Sequence, residues 1–369
     1  MKKLILLILA VISLSFLFSS LVYCVGESEF NEKMNGDLWN AVDNDTAQAL
    51  DYFEIDIFNP AGIFDFSLSS LAEYFKDDLT VKLKAILSFF LSACALLVVS
   101  SSFSAIIKSE SNSEMFEILL IILSVIISLS GMKNTINTLI SMLNVGAKFM
   151  VAFIPVFASL VAFSGSVSAA FTYNTVVLGF AQGISAFVKN YGEKIIGSFF
   201  CLVISFSMNK EINLDRFVSM FSRFSTVAIG LFSTVFASLL SIKNILSVSI
   251  DSVGVRGIKF IVSSMIPVVG SAISEAYSSL LGSIGVIKGS VAAFGIIAII
   301  IISFPALVEG VVLFCALSIL SFLSEMLSLL KVASLLKGFC VGIKFLLLLA
   351  VFEVFIMIIS TALLISFKG

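Results

Sequence analysis

Two glutamates stand in the middle of long apolar runs, where a carboxyl group could bind a proton or a cation. Glu309 lies within residues 291–320, and Glu353 lies within residues 339–367. A charge at the centre of a bilayer costs about 2.5–3.5 kcal/mol on insertion scales, so such residues usually face a cavity or a partner. Each glutamate is therefore a candidate for a proton or cation relay, or for pairing with Lys259 or Lys344. The alternative is a protonated glutamate that hydrogen-bonds to a neighbouring helix.

A second group of polar and helix-breaking residues lies in residues 254–277. This stretch places Arg256, Lys259, Pro267 and Glu275 in an otherwise apolar sequence. A proline lacks a backbone donor and clashes with the preceding turn, so we expect a kink or an interruption at Pro267. Broken backbone at membrane depth occurs only where protein or a water-filled cavity satisfies it. Lys259, Pro267 and Glu275 are thus candidate intramembrane polar or hinge residues, and a plain kinked helix is the alternative.

The pattern Gly-x-Lys-Phe occurs three times, at residues 146–149, 257–260 and 342–345. The first two copies are followed by Ile-Pro-Val, which contains Pro155 and Pro267 respectively. Two proline-interrupted segments at comparable places in two halves of a chain are typical of a transporter-like binding site. Alternatively, the pattern marks three membrane entries at which the lysine side chain reaches toward the lipid headgroups.

The composition indicates that lipid surrounds most of the chain. Of 369 residues, 59% are hydrophobic and 12% are charged, whereas soluble domains carry about 25% charged residues. The net charge of −2 gives no indication of a nucleic-acid partner. The sequence has no histidine, the commonest general base and metal ligand. Since no catalytic or metal-binding motif is present either, we expect neither an enzyme nor a cofactor.

Three parts follow one another along the chain. Residues 1–24 have the short basic start and apolar run of a signal peptide. Residues 25–84 are acidic and are predicted to be extracytoplasmic. Within them, the spacing of Leu68, Leu71, Phe75 and Leu79 predicts a helix on the outer membrane surface; a solvated leader without a partner is the alternative. Residues 85–369 form the predicted transmembrane domain.

The predicted fold is all-α, a polytopic helical membrane protein with about seven to nine transmembrane helices and Pro/Gly-interrupted segments. Residues 149–188 carry no charge and are long enough for two spans, with a turn near 164–166 or 172–174. Residues 133–146 alternate polar and apolar positions, as expected of a segment in the membrane interface. Clusters of small residues at 164–170 and 282–290 indicate close helix packing, within a bundle or a homo-oligomer.

The polar stretch also resembles a known family. Its sequence Gly254-Val255-Arg256, followed by Lys259-Phe260, residues 266–270 and Glu275-Ala276, is similar to the signature of the stage III sporulation protein AE family. Residues 155–170 resemble the middle region of the same family, and the similarity extends from about residue 60 to the C-terminus. Ser271 stands where the family would have a second glycine.

This resemblance implies a role in spore formation. The chain would be an integral component of a channel-like complex in the mother-cell membrane around the forespore, needed for late forespore development. Its partners would be other sporulation stage III membrane proteins within the lipid bilayer, and its N-terminal segment would be extracytoplasmic. No catalytic or binding residues carry over. Two alternatives are a stand-alone secondary transporter that uses Pro155, Pro267 and the buried glutamates, and a membrane scaffold without a pore.

Overall fold

The computed structural model describes residues 42–55, 67–106, 110–164, 166–209, 212–265 and 270–365, together with Gly36 and Trp39. Side chains at 242–284, and at several other helical positions, lie outside this described part. The segment predicted to be a signal peptide also lies outside it, and so does Pro267. The described residues contain no β-strand.

Nine α-helices account for most of the described chain. They are α1 (Asn44–Tyr52), α2 (Leu68–Tyr74), α3 (Lys76–Ile106), α4 (Glu110–Phe163), α5 (Val167–Phe187), α6 (Glu193–Met208), α7 (Leu214–Met265), α8 (Gly270–Met326) and α9 (Leu330–Ile365). A single π-helical segment, Val188–Gly192, joins α5 to α6. The prediction of an all-α polytopic membrane protein is confirmed.

Six helices of the described part are long and apolar enough to cross a membrane: α3, α4, α7, α8, α9, and α6 together with the end of the π-helical segment before it, as Asn190–Met208. The sequence predicts seven to nine spans because it divides α4 at residues 133–146, where polar side chains recur, and because it also counts spans at α5 and within residues 254–277. In the structure α4 is continuous there. The backbone hydrogen bonds of a helix form whether the side chains on one face are polar or apolar. The helix ends at Phe163 and α5 begins at Val167, which confirms the earlier of the two predicted turns.

The core of the bundle is the antiparallel pair α8 and α9, against which α4 packs. The inner face of α4 presents aromatic rings at every fourth residue, as helical geometry requires of one face. Phe149 stacks on Phe153 with ring centroids 5.6 Å apart, and Phe153 stacks on Phe157 at 5.5 Å. The edge of Tyr173 in α5 meets Phe157 at 5.4 Å. This row of buried rings fixes α4 and α5 against the hairpin.

Glycines let the helices approach one another closely at several points. A Cβ atom at Gly338 or Gly342 of α9 would overlap the side chains of Val203 or Phe200 in α6, respectively. In contrast, a Cβ atom at Gly285 or Gly289 would meet none of the described residues within 4 Å. Within the described part, the cluster predicted at 282–290 therefore makes no close helix contact at these two glycines, whereas isolated glycines elsewhere do.

The turn between α8 and α9 is a Schellman motif closed by a residue with a positive φ angle. Ser328 has φ 62°, its N–H donates to the Glu325 carbonyl at 3.0 Å, and the Leu329 N–H donates to the Ser324 carbonyl at 2.9 Å. Across the hairpin, the buried Ser321 hydroxyl donates to the Ala333 carbonyl at 3.1 Å. The turn therefore starts α9 in the direction that lets it pack along α8.

Replacing Ser328 by glycine should stabilise the protein by about 0.5–1 kcal/mol. The left-handed conformation costs a residue with a side chain about 1–2 kcal/mol, and glycine loses part of this gain to its greater freedom when unfolded. Thermal unfolding in detergent measures the effect. Ser328→Ala is the matched control, since alanine retains the steric cost; a glycine variant no more stable than the alanine variant would contradict the prediction.

The acidic segment contributes two short helices that pack on the bundle. Ser67 caps α2 through a capping box with Ser70. The predicted helix begins at Leu68 as expected but ends at Tyr74, so that Phe75 lies in the turn and Leu79 belongs to α3. Leu71 is completely buried, and Phe75 lies against Phe304 of α8 at 6.3 Å. The helix α3 begins at Lys76, before the predicted membrane boundary at residue 85. This part of the segment is folded onto the bundle, unlike a solvated leader.

Two of the prolines lie inside helices. Pro155 is exposed on the outer face of α4, which continues through it, and Pro305 lies within α8. A proline on the outer face leaves the inner contacts of its helix intact, so α4 tolerates the lost backbone hydrogen bond. The expected interruption at Pro267 lies outside the described residues; the flanking helices α7 and α8 end at Met265 and begin at Gly270.

Candidate functional site

Glu309 lies at the inner wall of a cavity between α3, α4 and α8. Its side chain is 2% exposed, and its Oε2 atom has no hydrogen-bond partner in the described part. The cavity measures about 420 Å³. Its polar lining comes from three helices: Lys82, Ser88, Ser92, Ser130, Asn134, Thr135 and Glu309. A buried carboxyl group thus shares a cavity with hydroxyl and amide groups, although the sequence around Glu309 is apolar.

Close packing of the helices around the cavity holds these groups in position. A Cβ atom at Gly131 of α4 would overlap the ring of Phe89 in α3, so these two helices nearly touch beside the cavity. Next to Glu309, a Cβ atom at Gly310 would lie 2.8 Å from Leu347 and 3.2 Å from Leu139. These contacts hold α8 against α4 and α9 and fix the position of the Glu309 backbone.

One positively charged side chain, that of Lys82, lines the cavity, but it is paired with Asp78. The Lys82 ammonium forms an ion pair with Asp78, one helical turn earlier in α3, at 2.8 Å. Both side chains are partly exposed, at 32% and 52% respectively. The acidic residue precedes the lysine by four positions, the more favourable order on a helix. The positive charge of Lys82 is therefore balanced by Asp78, and Lys82 is not the ion-pair partner of Glu309.

Glu353 occupies a different environment, a tightly packed contact between α9, α4 and α8. It is fully buried, and neither carboxyl oxygen has a hydrogen-bond partner within the described residues. A Cβ atom at Gly146 would lie 2.7 Å from Oε1 of Glu353 and 3.2 Å from Cδ1 of Ile299. The absence of a side chain at Gly146 thus leaves the space that the carboxyl group fills. The site of Glu353 is enclosed, whereas that of Glu309 opens into a cavity.

The two carboxyl groups lie at different depths of the same bundle. Glu353 packs beside Ile299, which precedes Glu309 on α8. The interval from Ile299 to Glu309 is about ten residues, or roughly 15 Å at 1.5 Å per residue. Both positions lie inside candidate spans, so two intramembrane acids are separated along the membrane-crossing direction.

Of the two predicted cationic partners, only Lys344 has a described side chain, and it does not pair with either glutamate. Lys344 donates a hydrogen bond to the Ser222 hydroxyl of α7 at 3.3 Å. The side chains of Lys259 and Glu275 lie outside the described residues, as does Pro267. Pro155 is on the outer face of α4, away from Glu353 and the aromatic row. The structure thus brings none of the other described candidates together with Glu309 or Glu353.

Several residues of interest were not singled out from the sequence. Lys288 of α8 is only 5% exposed, although it precedes the apolar run and could be taken for a residue at the membrane edge. Asn134 and Thr135 line the Glu309 cavity, and Gly146, known from the sequence only as the first residue of a Gly-x-Lys-Phe pattern, adjoins Glu353. The available signal was the spacing of polar residues in 130–135, where they recur after three and four positions and so lie on one face of a helix. Their place in the same cavity as Glu309 depends on long-range packing.

The described residues hold no group of three or more cysteine, aspartate or glutamate side chains that could bind a metal ion. An ion pair does connect two helices near their N-terminal ends: the Lys331 ammonium of α9 lies 2.6 Å from Oε2 of Glu117 in α4. Both side chains are partly exposed, which limits such a pair to about 1 kcal/mol or less. It joins α4 to α9 outside both glutamate sites.

Comparisons with known proteins agree with the family resemblance seen in the sequence. The model of the family described as stage III sporulation protein AE matches residues 61–367. The stage III sporulation protein AE of Bacillus subtilis (strain 168) is 26% identical over 185 residues, which cover 50% of this chain and 46% of the relative. The match therefore spans about half the length of that relative. No solved structure matches.

Proposed function

The chain belongs to the stage III sporulation protein AE family, and on that premise we propose that it is an integral subunit of a sporulation-specific, channel-like complex. The observation that carries the proposal is the family match over residues 61–367, which includes helices α2 to α9. The chain is a membrane protein of a sporulation family. The complex would lie in the mother-cell membrane around the forespore and would be needed for late forespore development.

The buried carboxyl groups favour participation in conduction or coupling over a purely structural role. A scaffold gains nothing from keeping unpartnered acids inside the membrane, where they oppose stability. A stand-alone transporter is a second candidate, because Glu309 opens into a cavity between helices. We favour the subunit because the family match extends over nearly the whole helical domain. We propose no enzymatic activity.

The proposed partners are other sporulation stage III membrane proteins, and the proposed N-terminal segment is extracytoplasmic. The exposed apolar side chains of α7, which include Met220, Phe224, Leu231 and Phe232, offer a surface suited to lipid or to a neighbouring membrane protein. Copurification after crosslinking would identify the neighbours, and a reporter fused after residue 40 would determine the location of the N-terminal segment.

Deleting the gene in the organism that encodes this chain should stop sporulation after engulfment while leaving vegetative growth unchanged. This outcome follows if the protein serves only the complex around the forespore. Growth rate, the fraction of engulfed forespores and the titre of heat-resistant spores measure it. Expression of the wild-type chain from a second locus is the control.

A growth defect accompanied by normal spores would contradict the proposal. A solute flux catalysed by the purified chain alone in liposomes would favour the stand-alone transporter. If partners copurify and the chain alone moves no solute, the subunit is supported.

A further inference from the structure

The cavity at Glu309 has the chemistry of an ion-binding site. We propose that it binds one small monovalent cation, with the Glu309 carboxylate as the counter-charge and hydroxyl and amide oxygens of α3 and α4 as neutral ligands. The inference rests on the cavity itself and does not depend on the proposed sporulation complex. It holds equally for a subunit or for a stand-alone transporter.

The charge of Glu309 requires compensation. The side chain is 2% exposed, and its Oε2 atom has no hydrogen-bond partner within the described residues. Lys82 is the one cationic residue among the lining residues, and its ammonium is paired with Asp78 at 2.8 Å. Burial of an isolated carboxylate without a partner is strongly unfavourable, so a mobile positive charge must accompany the ionised form.

The lining favours a hard, singly charged ion. It contains no cysteine or histidine, so it lacks the ligands that select zinc or copper. The neutral oxygens come from Ser88, Ser92, Ser130, Asn134 and Thr135. Glu309 is the only carboxylate among the lining residues, whereas calcium sites generally combine several acidic oxygens. One carboxylate with neutral oxygens balances one positive charge.

The cavity has room for an ion with part of its hydration shell. Its volume is about 420 Å³, and a water molecule takes up about 30 Å³ in the liquid. Thr135 is buried at the inner side, whereas Ser88, Ser92, Ser130 and Asn134 are exposed at the open side. An ion could therefore enter along polar groups and reach the buried carboxyl at the inner wall.

Glu353 provides an internal reference for this proposal. It is also an acid buried inside a span, but its carboxyl group packs against Gly146 and Ile299 and does not line the Glu309 cavity. An effect of cations that arises from the carboxyl group alone should be the same at both residues. An effect that arises from the cavity should occur only at Glu309.

The test is labelling of the full-length protein in detergent with a hydrophobic carbodiimide, which reacts with protonated carboxyl groups, followed by peptide mass spectrometry. Sodium ions are the probe, and choline chloride keeps the ionic strength constant. We expect labelling of Glu309 to slow with increasing sodium, roughly tenfold at ten times the dissociation constant. Labelling of Glu353 should show no such protection. Glu309→Gln should abolish the labelled peptide at 309 and leave the reaction at Glu353 unchanged.

A second measurement uses unlabelled protein. Sodium chloride should raise the melting temperature of the wild type relative to choline chloride, and this difference should disappear in Glu309→Gln, which keeps the size and polarity of the side chain. Protection by potassium in place of sodium would also support a monovalent-cation site. Equal protection by choline, labelling of Glu309 that is indifferent to both alkali ions, or failure of Glu309 to label at all would each overturn the proposal.

Discussion

Replacing Gly295 by leucine should prevent the bundle from reaching its native packing. A Cβ atom at this position of α8 would overlap the ring of Phe153 in α4 and would lie 2.9 Å from Cε of Met357 in α9. The site therefore joins the three helices that form the core. Overfilling a packed core costs about 1–3 kcal/mol, and a leucine placed against a fully buried ring should reach at least the upper end. The yield of monodisperse protein and its melting temperature in detergent measure the loss.

The matched control is Gly230→Leu in α7, where an added Cβ atom would have no neighbour within 4 Å among the residues that the structure describes. Leucine is also a better helix former than glycine, so this variant should be as stable as the wild type or slightly more stable. Combining Gly295→Leu with Phe153→Ala should restore part of the stability, because it removes the ring that obstructs the leucine. Equal losses at Gly295 and Gly230 would show that the close approach of α4 and α8 does not determine the fold.

Replacing Glu353 by methionine should make the protein more stable and impair its function. Both carboxyl oxygens of Glu353 are buried without hydrogen-bond partners in the described part of the chain. Methionine has a similar length and no polar group to bury, so the variant should gain about 1–3 kcal/mol. If the acid takes part in conduction or coupling, the titre of heat-resistant spores should fall although the protein accumulates normally. Thermal unfolding and spore counts measure the two effects separately.

Glu353→Gln is the control, because it keeps a polar side chain of nearly the same shape while removing the ability to ionise. It should lack the stability gain of methionine and should share its functional defect. A lower melting temperature for Glu353→Met would indicate that the carboxyl group has a stabilising partner. Normal sporulation with both variants would remove Glu353 from the proposed mechanism.

The sequence predicted the membrane class, the turn between α4 and α5 and the presence of acids inside the spans. These predictions depend on local composition: long apolar runs require helices in lipid, and an acid in the middle of a run belongs to a span. The apolar spacing also predicted the start of a helix at Leu68, but not its end at Tyr74, where the chain turns before α3. Family membership, likewise, followed from an ordered set of residues along the chain and was confirmed by the match over residues 61–367.

The sequence could not predict which residues surround the two glutamates. The contact of Glu353 with Gly146 joins residues far apart in the chain, and the cavity at Glu309 requires three helices. It also could not distinguish glycines at helix contacts from open ones, since Gly285 and Gly295 occur in similar apolar sequence. In a membrane protein both the lipid-facing and the buried sides of a helix are apolar, so periodicity carries less information than in a soluble domain.

The candidate span in α4 extends over Met115–Phe163, a length of 49 residues that includes the polar positions of 133–146. At 1.5 Å per residue such a helix measures about 73 Å, more than twice the thickness of the hydrocarbon layer of about 30 Å. A helix longer than the hydrocarbon layer either tilts or extends beyond it. An upright α4 would therefore carry part of its length outside the hydrocarbon layer, and a fully immersed α4 would have to be strongly tilted.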